Sequence, residues 1–74
     1  MFETLRKIIA EEFNIDEESI TLDSKLDADL GINSLELAEL AFRLEDEFDS
    51  EIKDEDISSL ITVGDVVDYI EKQK

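Results

Sequence analysis

Asp29-Leu30-Gly31-Ile32-Asn33-Ser34-Leu35-Glu36 marks the point where a long polar connection ends and the most regular helical pattern in the chain begins. Asn33 is an N-cap by residue type, because its side-chain oxygen can accept from the free backbone N–H groups of a first helical turn, and Glu36 three residues on completes a capping box. With Asn33 capping, Ser34 becomes the first helical residue and its hydroxyl is left free for other chemistry. The same helix start offers unpaired N–H groups and the positive end of the macrodipole, which favour an anionic phosphate esterified there.

Downstream, residues 34–49 read as the second helix of the chain. Leu37, Leu40, Ala41, Leu44 and Phe48 recur at helical spacing and form its core face. The opposite side carries Leu35 and Phe42, seven apart and flanked by Ala38, Glu39, Glu45 and Asp46. Two large apolar residues ringed by acids, beginning one residue after the free hydroxyl, predict a docking surface in which acids steer and apolar groups hold. Arg43 lies four residues from both Glu39 and Glu47, which predicts a local ion pair.

Upstream, Phe2, Leu5, Ile8, Ile9 and Phe13 predict a first helix closed by Asn14 as a left-handed C-cap. Residues 14–33 then form a long connection, with Ile15, Ile20, Leu22, Leu26, Leu30 and Ile32 available to anchor it. Asp23, Asp27 and Asp29 do not have the ligand spacing of a calcium loop, and no metal site is expected. Beyond the second helix, Asp54 is expected to cap a short third helix with Ile57, Leu60 and Ile61 as apolar contacts. Thr62 and Asp65 form a second capping-box pattern, followed by Val63, Val66, Val67 and Ile70 at helical spacing. Tyr69 is expected to pack its ring and expose its hydroxyl. The fold predicted is all-α: a small four-helix bundle, three main helices and one short one, with a long loop between the first and second, in a single domain over 1–74.

At 74 residues the chain buries only roughly 60% of its unfolded surface, so modest stability is expected. With neither cysteine nor histidine, it lacks the usual nucleophiles, bases and thiolate ligands, and any thiol it uses must arrive on a cofactor. Seven basic against 22 acidic residues leave a net charge of −15, which argues against nucleic acid and anionic membranes and for basic partners, and no stretch approaches the length needed for membrane insertion. The start has neither a charged n-region nor an apolar run, so a soluble cytoplasmic monomer is expected. An unmodified acidic domain mimicking nucleic acid is the reading from a different class. It gives no reason for the Leu35 and Phe42 pair or for a free Ser34.

The Leu30-Gly31-Ile32-Asn33-Ser34-Leu35 run resembles the attachment motif of acyl carrier proteins, usually Asp-Ser-Leu after a Leu-Gly turn. The resemblance continues through Glu45-Asp46-Glu47-Phe48 and Ile52 to Thr62-Val63-Gly64-Asp65-Val66-Val67-Asp68-Tyr69-Ile70. It implies a non-catalytic carrier of the discrete type, whose Ser34 bears 4'-phosphopantetheine donated from coenzyme A by a phosphopantetheinyl transferase. The arm would hold acyl thioesters for acyl-transferring and acyl-processing enzymes with basic surfaces, in fatty acid synthesis or a specialised lipid or polyketide pathway. An aminoacyl or peptidyl carrier is the nearest alternative. The resemblance places Leu35, Glu36, Ala38, Glu39, Phe42, Glu45 and Asp46 on the recognition helix, and makes Leu40, Leu44, Leu60 and Ile61 candidates to shelter an acyl chain. Asn33 departs from the usual Asp and removes one negative charge beside Ser34, and Lys53 stands at the family's common proline position.

Overall fold

Apolar stripes along three helices meet in one core. In the computed structural model, which describes residues 1–73, α1 spans Phe2–Phe13, α2 Ser34–Phe48, α3 Asp54–Ile57 and α4 Val63–Glu71. Leu5, Ile8 and Ile9 of α1 pack with Leu40, Ala41 and Leu44 of α2 and Val63, Val66, Val67 and Ile70 of α4. No strand forms among the described residues.

Helix boundaries follow local chemistry. Asn14 closes α1 with φ 54°, and Asp49 closes α2 with φ 50°, each donating its backbone N–H back into the last turn. At the start of α4, Thr62 Oγ1 accepts from Asp65 N–H at 3.1 Å and the Asp65 carboxylate accepts from Thr62 N–H at 3.0 Å. Ile61 N–H donates to the same carboxylate oxygen at 3.0 Å. These donors favour the ionised form and hold Asp65 below the usual carboxylate range, the Thr62 bond most strongly. The third helix differs from expectation. Its N-cap is Lys53, without a side-chain capping bond, and Asp54 is its first residue. Asp54, Glu55 and Asp56 all fall in that turn, where they complement the dipole rather than cap the chain. Leu60 and Ile61 lie beyond the helix.

The long connection is ordered by stitching to the segment between α3 and α4. A 3-10 turn, Glu17–Ser19, follows α1, with Asp16 as its cap. Leu26 N–H then donates to Ile61 O at 2.8 Å, Val63 N–H to Ser24 O at 3.0 Å and Gly64 N–H to Leu22 O at 2.8 Å. Ile20, Leu26 and Ile32 are buried, whereas Leu22 stays 48% exposed and contributes through its carbonyl. That approach explains Gly64: a Cβ there would lie 3.0 Å from Leu22 O. Gly31, at φ 71°, turns the connection into the extended Asn33 that precedes α2.

Two long-range polar contacts correct the local reading. Arg43 reaches across to α1 instead of along its own helix, with Nη1 2.6 Å from Glu12 Oε1 and Nη2 3.5 Å from Glu11 Oε2. The Glu12 hydrogen bond raises the pKa of this guanidinium further. Tyr69 does not leave its hydroxyl to solvent. It donates to Asp56 Oδ2 at 2.6 Å and accepts from Lys53 N–H at 3.4 Å, tying α4 to α3. The Asp56 bond is also the main cause that raises the phenol above its ordinary range. A raised phenol pKa means stability that is intact below about pH 10 and lost as pH climbs through the folded value. Tyr69→Phe should therefore cost about 1 kcal/mol at neutral pH and remove part of the wild type's alkaline loss of stability, read from urea melts at pH 7 and 11.

Candidate functional site

Ser34 opens α2 and is exposed. The capping box beside it is complete: Glu36 N–H donates to Asn33 Oδ1 at 2.8 Å and Asn33 N–H donates to Glu36 Oε1 at 3.0 Å. Among the described residues, neither the Ser34 hydroxyl nor the Ser34 and Leu35 backbone N–H groups have a hydrogen-bond partner. A hydroxyl and two donors thus converge at the positive end of a 15-residue helix.

Two cavities open at Ser34. The first, about 340 Å³, is walled by Leu26, Ile32, Leu37, Ile57, Leu60 and Ile61, with Asp27, Asn33 and Ser58 at its polar edge. The second, about 440 Å³, runs along the α2–α3 side past Leu37, Ala38, Phe42, Asp54, Ile57 and Ser58. Leu37, Ile57 and Ser58 border both. Neither lining includes a lysine or arginine. A phosphodiester-linked arm fits this arrangement: its anchor is accessible, its anion meets free N–H donors, and its apolar portion meets apolar walls.

The matches with known proteins follow the same residues. The family model described as "Phosphopantetheine attachment site" matches residues 3–70. The chain belongs to the acyl carrier protein family. An acyl carrier protein of Clostridium perfringens is 47% identical over 70 residues, covering 95% of this chain and 92% of that one. One from Campylobacter lari is 41% identical over 71 residues, covering 96% and 92%. Among solved structures, a candidate acyl carrier protein from Mycobacterium tuberculosis superposes with a TM-score of 0.89 at 34% identity, covering 99% of this chain and 97% of that one. The acyl carrier protein of Enterococcus faecalis gives 0.83 at 37% identity, covering 99% and 92%. The family's prosthetic group is 4'-phosphopantetheine, and its members act as carriers.

The α2 residues expected to meet partners divide by exposure. Leu35 is 71% and Phe42 64% exposed, with Glu39 and Asp46 also in solvent. Glu36, Ala38 and Glu45 are half-buried: Glu36 serves the capping box, Ala38 lines the second cavity, and Glu45 Oε2 accepts from Ile52 N–H at 2.8 Å. Of the acyl-shelter candidates, Leu60 and Ile61 border the first cavity, while Leu40 and Leu44 sit fully in the core and border neither. Sequence reasoning missed Ile57 and Ser58 as walls, because only the folded position of α3 brings them to Ser34. Leu37 carried a weak signal as the core-stripe residue nearest the serine.

Among the described residues, no helix is long and apolar enough to cross a membrane, and no cluster of three potential metal ligands forms.

Proposed function

We propose that Ser34 Oγ carries the 4'-phosphopantetheine arm, and that the chain works as a single-domain, non-catalytic cytoplasmic carrier of acyl groups. The unpartnered, exposed hydroxyl at the α2 start, with two cavities opening beside it, carries this reading. In a magnesium-dependent reaction catalysed by a phosphopantetheinyl transferase, Ser34 Oγ forms a bond to the β-phosphorus of coenzyme A and gives up its proton. The phosphoanhydride bond breaks and adenosine 3',5'-bisphosphate leaves. When bound, the arm supplies a terminal thiol that holds acyl groups as thioesters. The chain itself fixes the anchor, supplies N–H donors to the phosphodiester and walls the arm with apolar side chains. Leu60 and Ile61, in the wall of the first cavity, form the mouth of a shelter for the acyl chain. Incubation with coenzyme A, magnesium and a broad-specificity transferase should add one phosphopantetheine mass, with fragmentation placing it on Ser34. A mass gain on another residue, or none, counts against the assignment.

Leu35 and Phe42 supply apolar contact to partner enzymes, and Glu39 and Asp46 steer basic surfaces toward it. Reversing both acids to lysine should slow association with such a partner about 10-fold at low ionic strength, narrowing the gap as salt is added. Helix content should not change, since neither side chain forms a hydrogen bond or ion pair among the described residues. Stopped-flow association across a salt series checks this, and equal rates at every ionic strength would remove the steering role.

A further inference from the structure

The charges around Ser34 pose a problem for any phosphodiester placed there. The protein carries a net charge of −15, and residues 14–49 hold 12 of its 22 acids against two of its seven bases. One of those two bases, Arg43, is committed to Glu11 and Glu12 of α1, and neither cavity at Ser34 is lined by a cation. Asp27 and Asp54 stand in the cavity walls instead. Besides solvent, the donors that the chain itself offers an anion there are neutral. The backbone supplies Ser34 N–H and Leu35 N–H. One neutral side chain beside them has donor capacity to spare.

That side chain is Asn33. Its orientation is decided by the capping box: Glu36 N–H is a donor, so the atom 2.8 Å away is the carbonyl Oδ1. The amide Nδ2, with two N–H groups, is consequently the free end, and it has no partner among the described residues. An Asp here would cap α2 equally well, but its carboxylate would put a negative charge one residue from the attachment serine, in the wall of the same cavity. Asn33 performs the same cap with a donor in that place.

We infer that Asn33 Nδ2 donates to the phosphodiester on Ser34, making Asn33 a positioning residue that caps α2 with one end of its carboxamide and holds the arm's anion with the other. The inference rests on Ser34 as the attachment point. It separates two properties that other capping residues join differently: Ser caps without charge and without the amide, and Asp caps with charge and without the amide.

The test uses the full chain in apo and arm-bearing forms, as wild type, Asn33→Ser and Asn33→Asp, each confirmed by intact mass. Attaching the arm should raise the melting temperature most in wild type, by about 2–4 °C more than in Asn33→Ser, and least in Asn33→Asp, where two anions adjoin. Equal gains in wild type and Asn33→Ser overturn the inference, because loss of the amide would then cost nothing. A second readout needs no variant: the Asn33 side-chain amide signals in a proton–nitrogen correlation spectrum should shift and exchange more slowly when the arm is attached. Unmoved signals overturn the inference even if Asn33→Ser cannot be loaded. An adduct absent from Ser34 in all three proteins fails the attachment reading itself, an outcome distinct from either of these.

Discussion

Replacing Ser34 with alanine is expected to abolish attachment of the arm outright while leaving the fold as it was. The side chain is exposed, and its hydroxyl makes no hydrogen bond among the described residues, so nothing in the folded state is lost with it. The cap is on Asn33, and alanine is at least as good a helix former at the position that follows. Stability should change by no more than about 0.5 kcal/mol, the usual range for a surface substitution. On the proposed attachment, by contrast, transfer needs an oxygen nucleophile at this atom, and the neighbouring backbone groups are donors that cannot replace it. Intact mass after incubation with coenzyme A, magnesium and the transferase, alongside thermal unfolding of both proteins, separates the two effects. An adduct on Ser34→Ala would place the anchor elsewhere, on one of the remaining hydroxyls such as Ser58.

The largest effect on stability should come from Leu40→Ala. Leu40 is completely excluded from solvent in the middle of α2 and belongs to the cluster that joins α1, α2 and α4. Truncating such a leucine removes its transfer free energy and leaves a cavity, together costing about 3 kcal/mol. A 74-residue chain has roughly 4–11 kcal/mol in all, at about 0.05–0.15 kcal/mol per residue. The loss is a large share of that, equivalent to a fall in melting temperature of about 15 °C. With no disulfide available to offset it, the variant should populate unfolded chains well below the wild-type transition, visible in circular dichroism melts and denaturant midpoints. A drop below about 5 °C would show that α1 and α4 close over the gap.

Both capping boxes were readable in the residues, and with them the starts of α2 and α4, because a cap is a contact between side chains and backbone three residues apart. The core stripes and the exposed Leu35 and Phe42 were readable for a similar reason: a helix turns a spacing into a face. Features that depend on where helices sit relative to one another were not. Arg43 has acids at the right spacing on its own helix, and nothing local says that Glu12 lies nearer. The Tyr69 hydroxyl looked free until folding placed Asp56 within 2.6 Å of it. Asp54 was expected to cap α3 because its type suits the role, but the chain enters the helix one residue earlier, at Lys53. The walls beside Ser34 were half legible: Leu60 and Ile61 through their apolar character, Leu37 only as a core-face residue, and Ile57 and Ser58 only through the position of α3.

The reach of Arg43 toward α1 has an effect on the far side of α2. Glu11 and Glu12 end α1 where the macrodipole is negative, an unfavourable place for acids with no cation in that last turn. Arg43 neutralises that end, and in doing so it takes the only positive charge of α2 away from the exposed face bearing Leu35, Glu39, Phe42 and Asp46. That exposed face is therefore of one sign along the length of the helix. One arginine both joins two helices and keeps that exposed acidic face free of any contrary charge.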